Sequence, residues 1–368
     1  MGLLGLSGCG SPSSASVEMS SQTELVKTGS MELQYAENFA VDYYEDGYKM
    51  LTTLPDSKRY LLVPEGQPVP QGLDEDVSIL QEPLQNIYLV ASGVMDMFAS
   101  VDAVEQIRFS GQKQENWYIQ TAKDAMAAGD MIYAGKYSKP DYELLVSEGC
   151  DLAIENRMIT HSPEVVEMLQ SFDIPVMIEY SSYEQHPLGK VEWVKFFGAL
   201  TGKEAKAEEA FAEQTEILEK VESGEKTGKT IAFFYVTSNG LIQVRQSTDY
   251  IPKLIELAGG RYIFENLEDS GSGRSTLNMQ VEDFYAGAKD ADILIYNSSI
   301  DGGVTTVDEL IGKCNILKDF KAVQEGQVYC TTNDMYQQSM AVGYLLQDMH
   351  TVLTDDDTAK LRYLFLLQ

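Results

Sequence analysis

Short apolar runs rich in β-branched and aromatic residues recur along this chain, each next to a longer segment of helical period, and the alternation happens twice. In the first half the runs are "NIYLVAS", "MIYAG", "CDLAIEN" and "IPVMIEY"; in the second they are "KTIAFFYVT", "DADILIYN" and "QVYCT". Near-continuous apolar strands separated by amphipathic helices point to α/β layers, with helices covering a largely parallel sheet. The segment "KPDYELLVSEGCDLAIEN" shows one unit: Leu144 and Leu145 give a helix its apolar face, Gly149 stops it, and "DLAIE" enters a buried strand. "HSPEVVEMLQSFDIPVMIEY" repeats the unit, with Ser162 as N-cap and Pro163 in the first turn.

The blocks are set apart by composition. Residues 1–30, rich in Ser, Thr, Gly and Gln, carry too few apolar groups to pack and are expected to form a tether, with folding starting near Met31. "LQYAENFAVDYY" and "RYLLVP" are strand-like and open the first block. Between the blocks lies "KEAKAEEAFAEQTEILEKVES", a run of strong helix formers that would span about 30 Å at 1.5 Å per residue. Ala207, Ala210, Phe211, Leu218 and Val221 give it an incomplete apolar stripe. The division expected is an N-terminal lobe over 31–202, one long rigid helix over 203–223 and a C-terminal lobe over 224–368, with a stiff connection and limited hinge opening.

Charge and motif content exclude several classes. With 57 acidic against 27 basic residues the net charge is -30, which repels nucleic-acid phosphates and anionic lipid head groups. The same charge serves as a solvated acidic coat or attracts a basic protein surface. Beyond the first few residues no run of about 18 apolar residues offers a membrane span. Cys9, Cys150, Cys314 and Cys330 show no C-x-x-C spacing, and His161, His186 and His350 no H-E-x-x-H. No G-x-S-x-G elbow is present, "SGSG" at 270–273 lacks the Lys-Ser/Thr ending of a phosphate loop, and the Ser, Glu and His of "SSYEQH" have no arguable oxyanion hole. The chain is not expected to be an enzyme.

Five segments carry a resemblance: "YAENFAVDYYEDGYKML", "SSYEQHPLGKVEWVKFFGALTGKEAKAE", "DYIPKLIELAGGRYIFENL", "DFYAGAKDADILIYN" and "LKDFKAVQEGQVYCTTNDMYQQS". In order and spacing, over about Gln34 to Gln368, they resemble the periplasmic-binding-protein family of iron-siderophore, haem and cobalamin ABC importers, in particular its lipoprotein members from Gram-positive bacteria. The resemblance implies two α/β lobes joined by one rigid helix and a chelate or macrocycle in the cleft between them. It also implies permease subunits with a cytoplasmic ATPase as partners, a monomeric receptor and an extracytoplasmic location. "LSGC", Leu6 to Cys9, matches a lipobox, which makes Cys9 the expected diacylglycerol site and membrane anchor, with the Ser-rich stretch as tether. Since no Lys or Arg precedes Cys9 and the apolar part is only about five residues long, the chain as written is expected to lack the start of its export signal.

Ligand residues are expected where strand ends face the crevice. The candidates are Ser92, Met95, Trp117, Arg157, Met158 and Tyr183 from the first lobe, and Asn239, Arg245, Asn297 and Tyr336 from the second. Aromatic, amide and Met groups suit a bulky, partly apolar chelate better than a bare ion. Two roles are open to Arg157 and Arg245: pairing with ligand carboxylates or catecholate oxygens, or balancing local acids. His161 and His186 are open as axial metal ligands or as structural residues, His161 just before a helix start and His186 ahead of Pro187. By the resemblance, one glutamate on each lobe docks against permease arginines. Glu143 and Glu282 match those positions, although an acid in a first helical turn also has a local reason in the helix dipole. Two alternatives stand beside the chelate receptor: a receptor for free Zn or Mn ions, and an adhesion or structural protein with a filled cleft.

Overall fold

The structure, a computed structural model, describes Met1 and residues 25–268, 275–298 and 302–368. Cys9 and most of the expected tether lie outside the described residues, as do Ser299 and the "SGSG" segment. The chain opens with β1 (Lys27–Ser30), β2 (Phe39–Tyr44), β3 (Lys49–Thr53), β4 (Lys58–Val63) and β5 (Val77–Gln81). These form one five-stranded sheet in sequential order. β1 to β4 are antiparallel and β5 is parallel to β4. Here the structure departs from the expected α/β pattern and from a tether reaching residue 30. β1 is "KTGS", exposed at every position, so it carries no apolar signal and is held by backbone pairing with β2 and by Lys27 and Ser30 on Asp42.

The first α/β layer follows as β6 (Ile87–Leu89), α1 (Val94–Ser100), β7 (Ile107–Ser110), α2 (Gln120–Ala128) and β8 (Ile132–Tyr133). After a small hairpin of β9 (Gly135–Lys136) and β10 (Lys139–Pro140) come α3 (Tyr142–Ser147), β11 (Leu152–Asn156), α4 (Pro163–Ser171) and β12 (Val176–Glu179). The sheet order is β12-β11-β6-β7-β8, parallel throughout. Ser162 is the N-cap of α4 and Pro163 its first residue, though the serine side chain makes no capping bond.

Two helices join the lobes. α5 (Pro187–Thr201) is buried along all 15 residues, and α6 (Glu204–Glu222) fills the stretch expected to be helical. The link is therefore a helical hairpin. Gly202, at φ 70°, ends α5 in the left-handed region. α6 then runs back along α5, with Lys195 bonded to Glu208 at 3.0 Å and lying 4.5 Å over the Phe211 ring. A helix buried all round belongs inside a core. One continuous apolar cluster runs from Phe39 and Leu51 through Trp193, Phe196 and Phe197 to Phe233, Leu254 and Leu346 of the second lobe. Two buried carboxylates at and just ahead of α5 are satisfied by the segment before β2. Glu192, fully buried, accepts N–H bonds from Gln34, Tyr35 and Ala36 at 2.8–3.1 Å, and Glu184 just ahead of α5 accepts those of Glu37 and Asn38.

The second lobe contains β13 (Thr230–Val236), β14 (Ile242–Arg245), α7 (Tyr250–Leu257), β15 (Arg261–Tyr262), β16 (Thr276–Met279) and α8 (Val281–Ala288). It ends with β17 (Ile293–Tyr296), α9 (Val307–Lys313), α10 (Lys321–Gln324), β18 (Val328–Thr331), α11 (Val342–Thr354) and β19 (Leu364–Leu366). The sheet order is β16-β14-β13-β17-β18-β19, with β15 also on β13. β13, β17 and β18 are parallel, but β14 reverses against β13 and β19 against β18. α11 packs on α6, where Gly343 N–H donates to the buried Gln214 Oε1 at 2.9 Å. That polar position interrupts the apolar stripe of α6 and explains why the stripe read as incomplete.

Candidate functional site

The lobes face each other across a crevice whose deepest part is a cavity of about 280 Å³. An adjoining hollow of about 170 Å³ shares Tyr183, Asp249, Tyr250 and Ser275 with it. The first wall is built from the carboxyl ends of three neighbouring parallel strands, as a parallel sheet dictates. Ser92 and Gly93 follow β6, Asn156 to Met158 end and follow β11, and Glu179 to Tyr183 end and follow β12. Asn156 Oδ1 accepts the Met158 N–H at 2.8 Å and so caps the turn that presents Arg157. The Arg157 guanidinium lies 4.5 Å from the centre of the Tyr183 ring, so the two side chains form one cationic and aromatic surface.

The opposite wall is built otherwise. Arg245 ends β14, Asp249 is the N-cap of α7, Tyr250 begins that helix, and Tyr336 and Ser339 come from the segment between β18 and α11. The Tyr262 hydroxyl fixes the end of β14 by accepting from Arg245 N–H at 3.0 Å and donating to Arg245 O at 2.8 Å. Asp249 Oδ2 lies 3.5 Å from Arg245 Nη1 while Oδ1 accepts the Ile251 N–H at 2.9 Å. Lys190, in the first turn of α5, forms the floor, its ammonium 4.7 Å from the Tyr250 ring centre. Burial pushes the Glu179 and Asp249 carboxyls up, against the pull of the Ser181 N–H and O–H on the first and of Arg245 on the second.

Beside the cavity the lobes are stitched together. The side-chain amide of Gln337, fully buried, accepts the Tyr118 N–H at 2.8 Å and donates to Asn116 O at 2.8 Å. Met340 N–H donates to Asp96 Oδ2 at 2.8 Å, and burial pushes that carboxyl up to about 6. At Gly93 the lobes come so close that an added Cβ would stand 2.9 Å from Ser339 Oγ and 3.4 Å from Tyr336 O.

Of the expected ligand residues, Ser92, Arg157, Met158, Tyr183, Arg245 and Tyr336 line this one cavity. Met95, Trp117, Asn239 and Asn297 stand outside it, each for a physical reason. Met95 is fully buried in α1, and the residue of that helix which reaches the other lobe is its neighbour Asp96, because one residue turns a helix by about 100°. Trp117 is 1 % exposed with its indole N–H on Ser110 Oγ. Asn239 sits at the exposed tip of the β13–β14 turn, bonded to Thr237 Oγ1 at 2.6 Å. Asn297 is buried, its N–H on Phe234 O. The sequence reading missed Glu179, Lys190, Asp249 and Tyr250. Two local signals mark them: a Lys in the first turn after the Pro187 helix start in "PLGKVEWVKFF", and "TDYIP", an Asp placed as an N-cap.

His161 is exposed and outside the cavity. His186 lies away from it too, stacked on Tyr35 at 4.4 Å with its Nδ1 accepting the Leu188 N–H. Burial, with the Lys253 charge, holds its imidazole below the usual range. Among the described residues no three His, Cys, Asp or Glu side chains stand together as metal ligands would, so the free-ion alternative finds no ligand set. Glu143 and Glu282 are both exposed in first helical turns, of α3 ahead of β11 and of α8 ahead of β17. No described helix is long and apolar enough to cross a membrane.

No protein-family profile matches the chain. Two uncharacterized lipoproteins of Methanocaldococcus jannaschii are 24% identical to it, over 87% of this chain and 81% of the first relative, and over 84% and 79% for the second. Among solved structures, a possible iron-binding (periplasmic solute-binding) protein of Staphylococcus epidermidis superposes with a TM-score of 0.56 at 16% identity, covering 73% of this chain and 98% of the other. The periplasmic heme binding protein HutB of Vibrio cholerae gives 0.57 at 14%, with 73% and 98% covered. A protein of an ABC-type Fe3+-hydroxamate transport system from Saccharomonospora viridis gives 0.55 at 16%, with 73% and 93% covered. These neighbours are solute-binding proteins and not enzymes, and the chain has their two-lobed α/β fold, that of the periplasmic solute-binding proteins of ABC importers.

Proposed function

We propose that this chain is the solute receptor of an ABC importer, holding a metal chelate in the inter-lobe crevice and delivering it to the permease. The observation that carries the reading is the cavity itself, lined at once by both lobes and by the buried helix between them, with an arginine on each wall. A ligand filling it touches every part that must move for loading and release. Tyr183, Tyr250, Tyr336 and Met158 supply aromatic and thioether surface suited to a bulky, partly apolar chelate, a ferric siderophore, haem or a corrinoid.

The lipoprotein names of the relatives support Cys9 as a lipid-anchored residue on the outer face of the cell membrane. Glu143 and Glu282, exposed and equivalently placed on the two lobes, are the residues proposed to meet the permease. Since both lobes share one core through α5, wide spontaneous opening would expose packed aromatic surface. Release is therefore assigned to the permease prying the lobes apart. Native mass spectrometry with ultraviolet–visible absorption, on protein offered ferric siderophores, haem and cobalamin in turn, tests the reading. A mass and spectrum of one class retained by the protein is the expected result, and no retention of any class overturns it.

A further inference from the structure

Lys190 is in an unfavourable place twice over. It is 8 % exposed and lines the cavity, yet among the described residues its ammonium has no hydrogen bond or ion pair, only the Tyr250 ring beneath it. A charge so confined, without such partners, costs stability. It also stands in the first turn of the 15-residue α5, where the helix dipole repels a cation and no acid offsets it. Packing does not call for an ammonium at this point.

The nearby carboxyls feel its field but are otherwise engaged. Glu179 Oε2 accepts from Ser181 N and Oγ, Asp249 holds the Ile251 N–H and faces Arg245, and Asp96 Oδ2 holds the Met340 N–H. Arg157, Lys190 and Arg245 face only Glu179 and Asp249 among the charged lining residues, and burial works against the charge on both acids. A chain of net charge -30 thus keeps a positive excess at the bottom of its crevice. The three cations belong to the first lobe, the connecting helix and the second lobe.

We propose that the crevice selects a net-anionic ligand, a chelate carrying several carboxylate or catecholate oxygens, and that Lys190 is the residue that sets this preference. The proposal rests on the receptor reading above and adds the charge class of the solute. One anionic group against Lys190 relieves its missing partner and its clash with the helix dipole together, while Arg157 and Arg245 grip further anionic oxygens from either side.

Titrating the full chain with a trianionic ferric tris-catecholate, with ferric citrate and with a charge-neutral ferric trihydroxamate separates the cases. The anionic chelates are expected to bind at least about tenfold more tightly than the neutral one. Lys190→Met is expected to lose about tenfold for the anionic chelates and nothing for the neutral one, and Lys190→Arg to retain binding. Should Lys190→Met fail to fold by its melting curve, the parent chain decides. Its affinity for the tris-catecholate should fall between about 50 and about 500 mM sodium chloride while that for the neutral chelate stays level. Equal or tighter binding of the neutral chelate, no loss in a folded Lys190→Met, or no salt dependence overturns the anion preference and leaves the receptor reading standing. Failure of every chelate to bind overturns both.

Discussion

The two walls of the crevice are assembled in different ways from sheets that look alike in sequence. On the first, three adjacent parallel strands, β6, β11 and β12, deliver their carboxyl ends to one edge, and every lining residue follows from that rule. On the second, none of the described residues directly after β13 and β17 lines the cavity. β14 turns back on β13, pairing Val244 with Phe234, so its carboxyl end lies alongside Phe233 and brings Arg245 there. A single antiparallel strand moves the lining residue from the end of the sheet to its side. The carboxyl-end rule holds where the sheet is purely parallel and misleads where a hairpin interrupts it.

Docking should be insensitive to this difference, because Glu143 and Glu282 sit in equivalent first turns on both lobes. Replacing both with Ala is expected to abolish stimulation of the transporter ATPase with chelate affinity unchanged; full stimulation by the double variant would remove the docking assignment. Next in size is the pair of arginines, one per wall. Arg157→Ala and Arg245→Ala should each weaken chelate binding by about 1.5–3 kcal/mol, roughly 10- to 100-fold, measured by calorimetry. If only Arg157→Ala matters, the wall built on β14 does not contact the ligand.

A smaller effect probes how closely the walls approach. Gly93→Ala should weaken binding several-fold by forcing Ser339 away, and Ser339→Ala, which removes the clashing oxygen, should restore it. On the parallel side, Glu155 on β11 bears on stability, with no effect expected on binding. Both its oxygens are buried without a hydrogen bond, and burial raises its carboxyl well above the usual value of 4.5. The folded state therefore holds a proton that the unfolded chain releases, so stability falls as pH rises from about 4.5 toward the folded-state value. Glu155→Met should raise the melting temperature, by about 1–3 kcal/mol of stability, and more at pH 8 than at pH 5; a pH-independent gain would mean that the carboxyl is not the cause.

The α/β alternation was readable because buried strands such as "CDLAIEN" are apolar whatever their neighbours do. The N-terminal sheet was not: "KTGS" has no apolar period, and β1 exists only through its pairing with β2. α5 was not legible as the shared axis of both lobes, since nothing in "PLGKVEWVKFFGALT" says that every side is covered. In the site, Arg157 and Tyr183 were found by the strand-end rule, and Asn239 was lost by applying that rule beside a hairpin. Lys190 was not legible because nothing in "PLGKVEWVKFF" says which side of the helix start faces the crevice.

Gln337 gives the crevice a clock. Its amide holds the Tyr118 N–H from across the lobes, and that hydrogen can exchange with solvent deuterium only when the bond parts. The exchange rate at Tyr118 reports how often this bond between the lobes parts, and its slowing in the presence of a solute measures, in time rather than in distance, how firmly that solute holds the contact shut.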